Sequence, residues 1–188
     1  RRLENRDGSF AGAVGARGKV AYFQQFYSDL KLEEGTRVAL MMPNLLQYPV
    51  AIAGVCSRTF GDALQRLARY KHLTCPEEIR VQRKAPEPSV EILFIEAKET
   101  QHDIMVDLGL SWILCVARRG SDGEITPLRL ELTRPVKHRA LLERHFGCRV
   151  RFSANRDALV FRSSDLDRPF ITQIEELLTI IGTHLDAE

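Results

Sequence analysis

The sequence contains no apolar run near the ~20 residues that a membrane-spanning helix needs. The longest candidate, Val38 to Val55, is interrupted by Pro43, Asn44, Gln47 and Pro49. No basic-then-apolar leader opens the chain, which starts at Arg1 rather than Met and so reads as a fragment. A one-sided charge is missing too: 27 basic residues face 25 acidic ones, a balance too even to mark a nucleic-acid footprint. The four cysteines, Cys56, Cys75, Cys115 and Cys148, show no C-x-x-C spacing. They read as reduced thiols of a cytoplasmic protein. There is one tryptophan, no internal repeat and no low-complexity tract.

What is present is the composition of a globular protein, 44% hydrophobic and 28% charged over 188 residues. Residues 1–20 scatter Gly8, Gly12, Gly15 and Gly18 among small and polar groups, which predicts a mobile or loosely packed segment. Tyr22, Phe23, Phe26, Tyr27 and Leu30 have helical spacing within Ala21 to Leu32. Thr36 to Met42 reads as a short buried strand or helix.

From Cys56 the pattern sharpens. Thr59 with Asp62 three residues on predicts a capped helix whose face is Phe60, Ala63, Leu64, Leu67 and Tyr70. Ile79 to Lys84 and Ser89 to Glu96 predict a hairpin about the 85–88 turn. A long helix follows over Gln101 to Arg119, with Ile104, Met105, Leu108, Trp112 and Val116 on its stripe. Leu128, Leu130 and Leu132 alternate as a half-exposed strand. Lys137 to Phe146 is a short helix stopped by Gly147. Strands at 150–152 and Ala158 to Arg162 precede a closing helix over Ile171 to Leu185. The expected fold is α+β: a mainly antiparallel sheet with helices packed on it, and an N-terminal segment partly helical or disordered.

Two resemblances bear on function. Ser57-Arg58-Thr59-Phe60-Gly61-Asp62-Ala63-Leu64-Gln65-Arg66-Leu67-Ala68-Arg69-Tyr70 resembles the opening helix of the arabinose-binding N-terminal domain of AraC-family transcription regulators. His145-Phe146-Gly147-Cys148-Arg149-Val150-Arg151-Phe152, then Asp157-Ala158-Leu159-Val160-Phe161 and Leu166-Asp167-Arg168-Pro169, are similar to that family's later blocks, in the same order and spacing. The resemblance covers residues 56–188. It implies a cytoplasmic, small-molecule-sensing homodimer that reaches DNA only through a C-terminal domain of two helix-turn-helix units, absent from this chain.

Leu32-Glu33-Glu34-Gly35-Thr36-Arg37-Val38-Ala39-Leu40-Met41-Met42-Pro43-Asn44 and Gln47-Tyr48-Pro49-Val50 look like an N-terminal stretch of long-chain acyl-CoA synthetases. The phosphate loop that adenylation requires is not in the sequence. The expected division is therefore 1–55, an incomplete N-terminal segment, and 56–188, the sensing domain. The alternative is a non-functional hybrid or remnant of an adenylate-forming enzyme.

The sequence calls for no catalytic set, cofactor, metal or membrane. His102, His138 and His145 lack ligand spacing. Asp103 and Asp107 complement a helix dipole, and Asp122 is a turn residue. The basic density at Arg118-Arg119 and Arg134 to Arg139 reads as a solvated face. Tyr70, Phe94, Trp112 and Phe161 are aromatics of either core or ligand pocket, and Arg129 and Glu131 are polar groups able to orient a ligand from a strand. Leu108, Ile113, Leu177, Leu178 and Ile181 form either a dimer seam or the inner face of a monomer core.

Overall fold

The computed structural model describes residues 2–4, 10–13, 37–39, 49–73, 77–95 and 103–187. The expected helix over 21–32, most of the synthetase-like stretch, Cys75 and His102 lie outside the described residues. Near the N-terminus, β1 (Arg2–Glu4) pairs antiparallel with β2 (Phe10–Ala13) and with β3 (Arg37–Ala39). No strands were expected at residues 2–4 and 10–13. Strand pairing satisfies backbone groups and does not require large side chains.

A five-stranded sheet organises the rest, in the order β4 (Glu77–Gln82), β5 (Ser89–Phe94), β8 (Ala158–Val160), β6 (Arg129–Glu131), β7 (Arg149–Arg151). The β4–β5, β5–β8 and β8–β6 pairings are antiparallel and β6–β7 is parallel. The fold is α+β, with a mainly antiparallel sheet as expected. Its register separates two faces. Val81, Val90, Leu159, Leu130 and Val150 line up across the strands on one face. Arg80, Glu91, Ala158, Glu131 and Arg151 line up on the other. Strand alternation dictates this split.

Helix α1 (Pro49–Val55) packs on α2 (Phe60–Tyr70) and on α3 (Asp103–Gly120). No helix was expected there. Proline suits the first turn of a helix, where its missing N–H is no loss. Val50, Ala51 and Ala53 are at most 2% exposed, so α1 belongs to the main core. Thr59 caps α2 as expected, accepting from the Asp62 N–H at 3.2 Å, while the Asp62 carboxylate pairs with Arg58. Phe60 is fully buried, meeting Phe161 edge-on at 5.0 Å and Phe170 stacked at 6.2 Å.

Helix α3 buries Met105 and Val116 of its predicted stripe but is turned away from the other three positions. Val106, Leu110, Ile113, Leu114 and Ala117 are buried, whereas Ile104, Leu108 and Trp112 are half-buried. Its two-sided apolar composition left that rotation ambiguous. Helix α4 (Arg139–Phe146) is the crossover between β6 and β7, ending on Gly147 at φ 71°. Strand β6 is not half-exposed: Leu130 and Glu131 are both buried. A short helix, α5 (Ser163–Leu166), appears where none was expected. The last helix, α6, spans Glu175–Asp186 and starts later than predicted, leaving Ile171 72% exposed on the segment before it.

Candidate functional site

Ser111, Cys115 and Arg119 recur every four residues along α3 and so share one face. Opposite them lie the end of α4 and the segment at Ile171 and Thr172. Together these walls enclose an open cleft of about 640 Å³, lined by Ser111, Leu114, Cys115, Arg118, Arg119, Asp122, Gly123, His145, Ile171 and Thr172. The volume falls within the ~300–1,000 Å³ range of small-molecule sites.

The walls are tied by hydrogen bonds. Arg118 donates to the carbonyls of His145 and Phe146, each at 3.1 Å, which satisfies the C-terminal end of α4. His145 Nε2 lies 2.9 Å from Ser111 Oγ, joining α4 to α3. Burial, with the nearby Arg118 charge, lowers the His145 imidazole below its ordinary pKa and so favours its neutral form. The Ile171 N–H donates to the Gly120 carbonyl at 2.7 Å. The Thr172 hydroxyl donates to the Val55 carbonyl, and the Ile174 N–H donates to the Cys56 carbonyl at 3.3 Å. The cleft wall is thus continuous with the start of α6.

Cys56, Cys115 and Cys148 are free thiols. Cys115 is exposed in the cleft. Burial pushes the Cys148 thiol up to about 11. Among the described residues, no group of three His, Cys, Asp or Glu side chains is placed to hold a metal ion.

The six residues singled out in the sequence are dispersed. Tyr70 is 6% exposed, and its hydroxyl donates to Asp186 at 2.6 Å, tying α2 to the end of α6. It borders a second cleft of about 490 Å³ with Asp62, Gln65, Arg66 and Arg69. Phe94 and Phe161 are core residues, 5% and 0% exposed. Trp112 is half-buried, with the Lys71 ammonium 5.0 Å from its ring centre. Arg129 and Glu131 lie on the opposite sheet face in an ion network. Arg129 bonds Glu131 at 2.8 Å and Glu87 at 2.6 Å, and Arg156 bonds Glu131 at 2.9 Å and Ser89 at 2.9 Å. Burial alone would raise the Glu131 carboxyl, but the Arg129 and Arg156 hydrogen bonds and charges hold it below the usual range. The two clefts contain none of Phe94, Trp112, Arg129, Glu131 or Phe161.

Of the residues that suited either seam or core, Ile113 and Ile181 are buried, whereas Leu108, Leu177 and Leu178 are half-buried. Sequence reasoning passed over the cleft because its residues are far apart in the chain. Its single local signal was the four-residue recurrence of polar groups along α3.

Comparison with known proteins places this geometry in context. A crystal structure of the transcriptional regulator CdpR from Pseudomonas aeruginosa superposes with a TM-score of 0.58 at 17% identity, over 77% of this chain and 51% of that one. At that identity the likeness shows the fold alone. Long-chain-fatty-acid–CoA ligases match a short stretch, with 49% identity over 55 residues for Haemophilus influenzae and 53% over 55 residues for Yersinia pestis. That stretch is 29% of this chain, and the chain spans 8% of the length of these curated relatives. The model for the N-terminal arabinose-binding domain of AraC transcription regulators matches residues 35–170. That match extends over more than half of the chain, which therefore belongs to the AraC N-terminal arabinose-binding domain family.

Proposed function

We propose that these residues form the effector-sensing and dimerising module of a cytoplasmic AraC-type regulator, with DNA contacted by a separate domain outside this chain. The family match over residues 35–170 carries the reading. Support comes from a cleft of small-molecule size whose wall runs directly into α6. A ligand there would reset α6 through Ile171 and Thr172, provided it binds two α6 positions with different affinity. The role is binding rather than catalysis. Exposed Ile174 and Ile180 on and before α6 are the dimer contacts we assign, at 47% and 68% exposure. We place the start of the sensing domain no later than Pro49, because α1 shares its core, and as early as residue 35, where the family match begins.

Thermal denaturation with a small-molecule set tests this. A genuine effector stabilises the fold by about 2.7 kcal/mol at a hundredfold excess over its dissociation constant, and the melting temperature rises accordingly. Sedimentation should show a dimer that Ile180→Glu dissociates. Salt-resistant, sequence-specific DNA binding by these 188 residues alone would contradict the reading.

A further inference from the structure

We infer that the α3–α4 cleft takes a monoanion with an apolar body, its carboxylate set against Arg119 and its body against Leu114, Cys115 and Ile171. The inference rests on the sensor reading and adds the chemistry of the effector.

Charge argues for the anion. Two guanidinium groups, Arg118 and Arg119, line the cleft against the single carboxylate of Asp122. His145 is already bonded to Ser111, and burial beside the Arg118 charge disfavours its imidazolium form, so the arginines are the cations of the cleft. Arg118 is fixed by two carbonyls, so its charge is in place before a ligand arrives and little ordering remains to be lost. Arg119 is exposed and makes no ion pair with any described residue. Two guanidinium charges against one carboxylate leave one net positive charge, which suits a single negative charge. A dianion would meet Asp122, and a cation would meet both arginines.

The remaining wall argues for the apolar body. Ile171 is 72% exposed at the cleft edge, an isoleucine that gains by being covered. Leu114 and Cys115 continue that surface on α3. A polyol such as arabinose would set its hydroxyls against these groups and leave them unpaired.

Cys115 supplies the readout, since it lines the cleft and is exposed. The full chain is alkylated with iodoacetamide in the presence of 4-phenylbutyrate, its neutral counterpart 4-phenylbutan-1-ol, or L-arabinose, and each cysteine is followed by peptide mass spectrometry. Phenylbutyrate at saturation is expected to slow Cys115 labelling at least about fivefold, and the alcohol and the sugar less than about twofold. Arg119→Gln is expected to raise the half-protecting concentration of phenylbutyrate about tenfold while leaving the melting temperature of the free protein unchanged. Equal protection by the alcohol, protection by arabinose alone, no protection by phenylbutyrate, or an Arg119→Gln variant that binds as before would each overturn the inference. A neutral compound that raises the melting temperature and protects Cys115 would leave the sensor reading standing while removing the anion.

Discussion

The Lys71 ammonium stands 2.6 Å from the Glu77 carboxylate, with the two side chains 11% and 10% exposed. The same ammonium lies 5.0 Å from the centre of the Trp112 ring. This pair joins the end of α2 to β4 beneath α3. Removing one member leaves a poorly solvated charge, whereas replacing both with apolar groups removes the desolvation cost as well. Lys71→Met should therefore destabilise the protein by about 3 kcal/mol, and Lys71→Met with Glu77→Leu should recover most of that loss. Urea denaturation of the four proteins of the cycle measures it.

Gly120 ends α3 against the Phe170 ring, and a Cβ at that position would overlap the ring. Phe170 is buried beside Phe60, so it has little room to yield. Gly120→Ala should cost about 1–3 kcal/mol. Because the Gly120 carbonyl also holds the Ile171 N–H, the variant should bind cleft ligands more weakly than an equally destabilised variant remote from the cleft. Parallel thermal-shift titrations compare the two.

Glu131 gives a pH-dependent contribution of known sign. Its carboxyl is held below the ordinary value in the folded protein, so the unfolded chain binds the proton more readily. Its stabilisation is present above the unfolded carboxyl pKa and is lost as pH falls through the folded one. Glu131→Gln should cost about 2 kcal/mol at pH 7. That difference should shrink steadily as the pH is lowered below the ordinary carboxylate range, as measured by denaturation at a series of pH values.

Much of the fold was readable because its signals are local. The 85–88 turn set the β4–β5 hairpin, Thr59 and Asp62 marked the start of α2, and Gly147 marked the end of α4. The errors arose where tertiary context decided. α3 carries apolar residues on more than one side, and only packing selects Ile113 over Trp112 for the interior. Glu131 is polar in sequence yet buried, because Arg129 and Arg156 arrive from either side to neutralise it. Of the candidate site residues, Phe94 and Phe161 are core aromatics, a role that composition cannot separate from lining a pocket. The cleft brings together positions 111, 145 and 171, which no short-range pattern connects.

The thiols should differ sharply in reactivity. Cys115 is exposed, whereas the Cys148 thiol is raised to about 11 by burial. At pH 8 the Cys148 thiolate is about one part in a thousand, so iodoacetamide should modify Cys115 well before Cys148. Peptide mapping of a labelling time course decides it, and the difference should largely vanish in denaturant, where both thiols are exposed and ordinary.

Amide hydrogen exchange tests most directly the claim that the cleft communicates with α6. Exchange is compared with and without the compound that most raises the melting temperature. Protection should rise together in residues 111–122 and 171–185. Protection confined to either stretch alone, or a stabilising compound that protects neither, would contradict the account.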